Sequence, residues 1–337
     1  MSWVITGGPG SGDSRMYGLA GTPTLDQRFA STKSLVDNIS GQTLITFTRP
    51  SAATYFDANG AMQTASSDVA RFQHDPSTGI CLGLLIEELR TNLLLNSASL
   101  TTQTVTTAAT PYTFSFYGTG TVVLSGTHSA TVVGTGAFPT RTTLTFTPTA
   151  GSLTLTVTGT IQYANLEAGS FATSWIPTTG STAQRQPDSV LISGGNFLQF
   201  FAQNTGTIFV QGQPIIGAVL QPSFVGVQPA NSALFRTVAR RSSAGARNTS
   251  NSDSIDVTGP EWISGERKIA ATWVPNDCVL VDSGTVIGTD ISTANPLTVV
   301  DRMVFGLNFN NAAGVILSRV CYWDRRLPNA TLQAITV

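Results

Sequence analysis

Two adjacent carboxylates, Glu87 and Glu88, follow the apolar run Leu82–Ile86 and precede Arg90 and Asn92. Such a pair suggests acid and base work, but neighbours on a strand point to opposite faces and cannot easily converge on one substrate. Ion pairing with Arg49, Arg71 or Arg90 is the role the pattern favours. His74 and His128 are the only histidines, far apart in the chain, so neither forms a credible metal site. Asp253, Asp256, Asp277, Asp282, Asp290, Asp301, Asn308 and Asn310 all sit near expected turns; calcium would need several of their oxygens to converge. Turn chemistry accounts for each without an ion, so no cofactor is expected and Ca2+ stays an option without a motif. The segment Gly7–Gly12 reads GGPGSG but lacks the Gly-Lys-Ser/Thr of a phosphate loop. Cys81, Cys278 and Cys321 form no CxxC arrangement; they read as buried thiols, with Cys278 and Cys321 the one plausible bridge.

Sugar recognition uses other residue types, namely exposed rings that stack on pyranose faces and guanidinium groups that meet anionic substituents. Trp273 and Trp323 lie within strand-like segments and are expected in the core. Trp262, within Thr-Gly-Pro-Glu-Trp-Ile-Ser-Gly, has a loop-like context and is the candidate ring, with packing against a sheet edge as the competing reading. Arg240, Arg241 and Arg247 flank a Ser/Gly/Asn-rich loop over 242–254 and complete the candidate carbohydrate site; a solvated loop tip is the alternative.

The elements that must carry these residues are strands. In Arg141–Pro148 the residues Thr142, Leu144 and Phe146 alternate with Thr143, Thr145 and Thr147. The same period of two recurs in Ser152–Thr158, Thr121–Leu124 and Ala130–Val133. Glycines between these runs mark turns, and short evenly spaced strands mean an antiparallel sandwich. Between Asn92 and Ala183 the only charged side chains are Arg141 and Glu167, too few for catalysis. Charged residues make up 11% of the 337-residue chain, against about 25% in an average soluble protein. With 18 Lys and Arg, scattered except for Arg240, Arg241 and Arg247, and a net charge of −1, the chain has no basic stripe for nucleic acid. The opening MSWVITGGPGSGDSRMYG has no signal-peptide pattern, and no apolar run reaches membrane-span length.

The expected organisation is all-β. Residues 1–40 form an extended N-terminal arm and 41–91 a β-hairpin region with turns at Asp57–Gly60 and Asp75–Gly79. Residues 92–187 form a β-sandwich, and 188–337 a second one that closes with a short helix for which Asn329 is the candidate cap.

The stretch ITFTRPSAATYFDANGAMQTASSDVARFQHDPSTG, with LGLLIEELRTNLLLNS after it, resembles a region of bacteriophage tail and virion proteins in which an "FTRAS-ATYFD" hairpin precedes "GLLIEEARTNLL". The later YANLEAGSFATSWIPTTGSTAQRQPD is similar to that family's "QLEAG-FPTSYIPT-G--ATRAAD", which closes a carbohydrate-binding-module-like sandwich. Pro50, Leu89 and Gln186-Pro187 are the departures, within a likeness covering roughly residues 40–190. The last module resembles a laminin-G or concanavalin-like jelly roll through Tyr322, Trp323, Arg325, Arg326 and Leu327. Together the resemblances imply a non-enzymatic virion component, a tail or head fibre or decoration protein that displays lectin-like domains toward host-surface glycans. The arm would dock on other virion proteins, and a cyclic homo-oligomer, a trimer, is expected. A glycan depolymerase and a capsid-stabilising decoration protein without glycan binding are the alternatives.

Overall fold

The computed structural model describes residues 11–215, 223–229, 236–240, 243–247, 254–258, 265–291, 300–308, 311–312 and 314–337. The fold is all-β, with four short helices among the described residues. A first antiparallel sheet runs in the order Thr285–Asp290, Asp277–Asp282, Arg267–Val274, Gly206–Pro214, Val315–Trp323, Cys81–Ile86, Arg71–His74. A second runs Thr46–Thr48, Ser189–Ser193, Arg302–Asn308, Ser223–Gln228, Arg236–Arg240, Ser243–Arg247, Ser254–Thr258. Leu84, Ile86, Val190, Ile208, Phe224, Phe305 and Tyr322 fill the core between them.

Both ends of the sequence build this body. Along one edge of Val315–Trp323, Leu25–Gln27 pairs with Val320–Tyr322 while Leu84–Ile86 pairs with Val315–Leu317. Thr46–Thr48 likewise pairs with Leu191–Ser189. The extended arm expected over 1–40 is therefore corrected within 11–40. Ser11–Ala20 is a helix, Leu25 and Phe29 are fully buried, and Met16 and Ala20 join Trp323, Leu332 and Ile335 in a layer outside the first sheet. The hairpin region 41–91 does not stand wholly apart either, because Thr46–Thr48 adds to the second sheet and Arg71–His74 and Cys81–Ile86 to the first, while Ala53–Phe56 and Met62–Ala65 pair with each other.

That outer layer explains a second difference. Along Lys268–Val274, Ile269, Ala271 and Trp273 alternate with Lys268, Ala270 and Thr272, a pattern that implies one wet face, yet Ala270 and Thr272 are as buried as Ile269 and Trp273, since the helices cover the other side. Trp273 and Trp323 are core residues as expected. Asn329 opens the final helix Asn329–Ile335 without capping it; its Oδ1 accepts from Arg326 Nη2 at 2.9 Å. No disulfide joins Cys278 and Cys321. Their strands stand three positions apart in the sheet, about 14 Å at ~4.8 Å per strand, beyond the roughly 7 Å a disulfide spans between Cα atoms.

Residues between Asn92 and Ala183 form a separate sandwich that leaves the body and returns to it at one point. Asn92 pairs directly with Ala183, so entry and exit are adjacent. A four-stranded sheet (Ala130–Val133, Thr121–Gly126, Gly151–Thr158, Gln103–Thr107) faces a three-stranded one (Gly136–Phe146, Tyr112–Gly118, Gln162–Ala168). Phe114, Phe116, Val122, Leu124, Leu153, Leu155 and Leu166 are the core, with the threonines at 143, 145 and 147 exposed as their alternation implies.

Candidate functional site

The strand Tyr112–Gly118 is buried at every position, which a two-layer sandwich alone does not produce. Phe114 and Phe116 fill the sandwich core, while Thr113, Ser115 and Tyr117 face the other way, onto the body. There the hairpin Ala53–Phe56/Met62–Ala65 and the segment 170–176 cover them. Thr113 Oγ1 donates to the Gly169 carbonyl at 2.8 Å, and the Tyr117 ring lies edge-on to Phe56 at 6.2 Å.

Between these surfaces lies a cleft of about 150 Å³, walled by Tyr55, Phe56, Tyr117 and Trp175, with Leu85 and Ile316 among its apolar lining and Arg141 and Glu87 as its ionised groups. Phe138 and Tyr163 extend the aromatic wall: Phe138 sits 5.3 Å from Tyr117 and 5.6 Å from Phe56, and Tyr163 4.8 Å from Trp175. Tyr163 occupies a break in strand register between Gln162 and Asn165, with φ 50°. A bulky residue in the left-handed region costs about 1–3 kcal/mol, and a bulge of this kind re-aims a side chain. The ring contacts to Trp175, Phe138 and Tyr117 offset that cost. Burial pushes the Tyr117 hydroxyl pKa upward, so it stays a neutral donor and acceptor, and it makes no hydrogen bond to the described residues.

Arg141 stands opposite Tyr117 in the sheet register, its guanidinium carbon 5.7 Å from that ring's centre. Nη2 donates to Ser115 Oγ at 2.7 Å. Glu87 is differently placed. Its carboxylate meets Arg71 Nη1 at 2.6 Å and Arg185 Nη1 at 3.3 Å, and accepts from the Ser174 hydroxyl and N–H at 2.6 and 2.7 Å. Burial would raise its pKa, but Arg185, Arg71 and Ser174 overcome this and hold it down to about 2.

Behind the cleft this pairing continues through the seam between body and sandwich. Asp188 accepts from Arg49 Nη1 at 3.1 Å, Arg71 Nη2 at 2.7 Å and the Glu87 N–H at 2.8 Å. Arg49, Arg71, Arg185, Glu87 and Asp188 are all buried, and Glu88 pairs with Arg90. The motif residues of FTRP, ARFQ, LLIEELR, ATSW and AQRQPD thus converge on one ion network that fastens the sandwich to the body. Glu87 and Glu88 are ion-pair partners, as their spacing implied.

A larger cleft of about 440 Å³ lies between the helices Ser11–Ala20 and Asn329–Ile335, near Arg28, Lys268 and Arg319. Two of its cations, Arg28 and Arg319, pair with Asp26 at 2.6 and 2.8 Å, and Lys268 donates to the Val337 carbonyl at 2.6 Å.

Of the candidates read from sequence, Arg240 and Arg247 stand on strands of the second sheet. Trp262 and Arg241 fall outside the described residues. Arg240 and Arg247 end the paired strands Arg236–Arg240 and Ser243–Arg247. Because the strands are antiparallel with Arg236 opposite Ala246, these two arginines sit at opposite ends of the hairpin, about 17 Å apart along the strand at ~3.4 Å per residue. The loop expected over 242–254 is in part the strand Ser243–Arg247, paired with Ser254–Thr258. Of the Asp candidates, Asp277, Asp282 and Asp301 face Arg326, Arg267 and Arg302. No group of three or more potential metal ligands occurs among the described residues. Sequence reasoning missed the cleft; its one available signal was Arg141, the sole cation between Asn92 and Ala183.

No protein-family model and no curated protein matches the sequence. Among solved structures, partial likeness is found to the CBM40 of Ruminococcus gnavus IT-sialidase bound to α2,3-sialyllactose, with TM-score 0.34, 18% identity, 40% of this chain and 84% of that one covered. The binding domain of botulinum neurotoxin DC in complex with rat synaptotagmin II matches with TM-score 0.36, 9% identity, and 44% and 39% of the two chains. Leech intramolecular trans-sialidase matches with TM-score 0.34, 15% identity, and 40% and 23%.

Proposed function

We propose that this chain is a non-catalytic glycan-binding protein and that its site is the cleft walled by Tyr55, Phe56, Tyr117 and Trp175. The carrying observation is the grouping of these rings, with Phe138 and Tyr163, around a cleft whose floor is apolar and whose rim offers phenolic hydroxyls. Rings stack on the C–H faces of a pyranose while hydroxyls exchange hydrogen bonds with its substituents. At about 150 Å³ the cleft is half the ~300 Å³ lower bound for drug-sized ligands, which suits a single sugar ring at a chain end or branch.

Hydrolysis is disfavoured by the carboxylates. A glycosidase sets two of them about 5–9.5 Å apart with one kept protonated. Here Glu87 is the one acid lining the cleft among the described residues, and two arginines hold it ionised.

The resemblance of residues 40–190 to bacteriophage virion proteins supports a structural setting, a tail or head fibre or decoration protein. Display in several copies, as a trimer, would convert weak single-site affinity into avidity. Binding is tested by isothermal titration and saturation-transfer NMR against methyl glycosides. Saturation transfer to ring protons that disappears in Trp175→Ala supports the reading, and its absence in the unaltered protein overturns it. The virion setting is tested by mass spectrometry of purified particles, which should contain the chain.

A further inference from the structure

We propose that the ligand of this cleft is an acidic sugar, a pyranose bearing a carboxylate, and that Arg141 receives that carboxylate. The inference rests on the glycan-binding reading and narrows it.

Charge balance at the seam supplies the first argument. Arg49, Arg71 and Arg185 share Glu87 and Asp188, while Arg90 meets Glu88 and Glu167, so four arginines face four carboxylates in two adjoining sets of ion pairs. Arg141 belongs to no such pair. Its only hydrogen bond among the described residues goes to the neutral Ser115 hydroxyl, and its Nε is buried without an acceptor. A guanidinium carries five N–H donors, so most of its capacity is unused inside a cleft that is otherwise electrically balanced.

Placement supplies the second. Arg141 is half-buried, held by Ser115 on one side and by the Tyr117 ring on the other, so the plane of its fork is set before any ligand arrives. A fork fixed in this way matches the two oxygens of a carboxylate and loses little freedom on pairing. Removing a cation from water without a partner is costly, and an incoming carboxylate offsets that cost where a neutral hydroxyl does so only weakly. Glu87, the other ionised group lining the cleft, is enclosed by Arg71, Arg185 and Ser174 and does not oppose an anion.

The test compares matched methyl glycosides on the full chain: glucuronide against glucoside, galacturonide against galactoside, and the glycoside of N-acetylneuraminic acid, by isothermal titration with saturation-transfer NMR. Each is measured on the unaltered protein and on Arg141→Gln, Arg141→Lys and Trp175→Ala. Acidic glycosides are expected to bind about ten- to a hundred-fold tighter than their neutral partners, the ratio typical of a charge-assisted hydrogen bond. Arg141→Gln should erase that ratio by weakening the acidic glycosides, and Arg141→Lys, which keeps charge but not the fork, should retain only part of it. Which acid binds better separates a uronate from a sialate ligand, and either supports the inference. Equal affinity for acidic and neutral partners, or a ratio that survives Arg141→Gln, overturns it and leaves glycan binding standing. Failure of every glycoside to bind sinks the glycan reading itself. Melting curves of the two Arg141 variants separate lost recognition from lost folding, since Arg141→Lys with an unchanged midpoint and an undiminished ratio also refutes the inference.

Discussion

Asp188→Asn removes one negative charge from a site where two arginines, Arg49 and Arg71, have no access to water. The amide keeps the shape of the carboxylate, but its NH2 group turns a donor toward either Arg49 Nη1 or Arg71 Nη2, formerly 3.1 and 2.7 Å from an acceptor. Breaking a buried ion pair from one side costs about 3–5 kcal/mol, because the remaining charge stays desolvated. At roughly 2 °C per kcal/mol, the lower figure for large domains, the melting midpoint falls by about 6–10 °C. The assay is thermal unfolding followed by far-ultraviolet circular dichroism, with Asp324→Asn as reference. Asp324 meets Arg325 at 3.6 Å with both side chains about half exposed, and such a pair contributes about 0–1 kcal/mol. A shift for Asp188→Asn no larger than that of Asp324→Asn would refute the idea that the network fastens the two parts of the molecule.

Acid should act through the same network. The folded-state pKa of Glu87 is depressed to about 2 from an ordinary 4.5, so its stabilisation is complete above pH ~4.5 and is lost as pH falls from there toward 2. Melting curves against pH should show that decline, flattened in Glu87→Gln. Native thiol titration with an aromatic disulfide reagent should find Cys81 slowly reactive and Cys278 and Cys321 protected, with all three reacting in guanidinium; a single thiol in the denatured chain would contradict the absence of a bridge between Cys278 and Cys321. Gly83→Ala should prevent folding or lower the midpoint steeply, since φ is 130° and a Cβ would fall 2.0 Å from the Leu317 carbonyl oxygen; normal melting would show that the strands part easily there.

What could be read in advance was local. Thr142, Leu144 and Phe146 alternate with threonines because one face of their strand is wet, and period two reports that directly. Asp282-Ser-Gly284, a turn-forming sequence between two strand-like runs, forms a hairpin turn with φ 49° at Ser283 and 79° at Gly284. The hidden part was long-range. Leu25–Gln27 is too short to show a period, and its partner Val320–Tyr322 lies almost the whole chain away. The cleft was hidden for the same reason: Tyr55 and Phe56 belong to the body, Tyr117, Arg141 and Trp175 to the inserted sandwich, and no spacing links them. Arg141 was visible as a solitary charge, but solitude in sequence does not reveal which rings surround it.

The adjacency of Asn92 and Ala183 makes the segment between them a cassette. A different sandwich whose ends meet in the same way could replace it without opening the body, provided it brought counterparts of Ser174 and Thr173 for Glu87 and Arg185. Such an exchange would carry Tyr117, Arg141 and Trp175 away together and leave Tyr55 and Phe56 behind. Half of the recognition surface would then change in one recombination event while the other half stayed constant, so ligand preference could diversify faster than the frame that holds it.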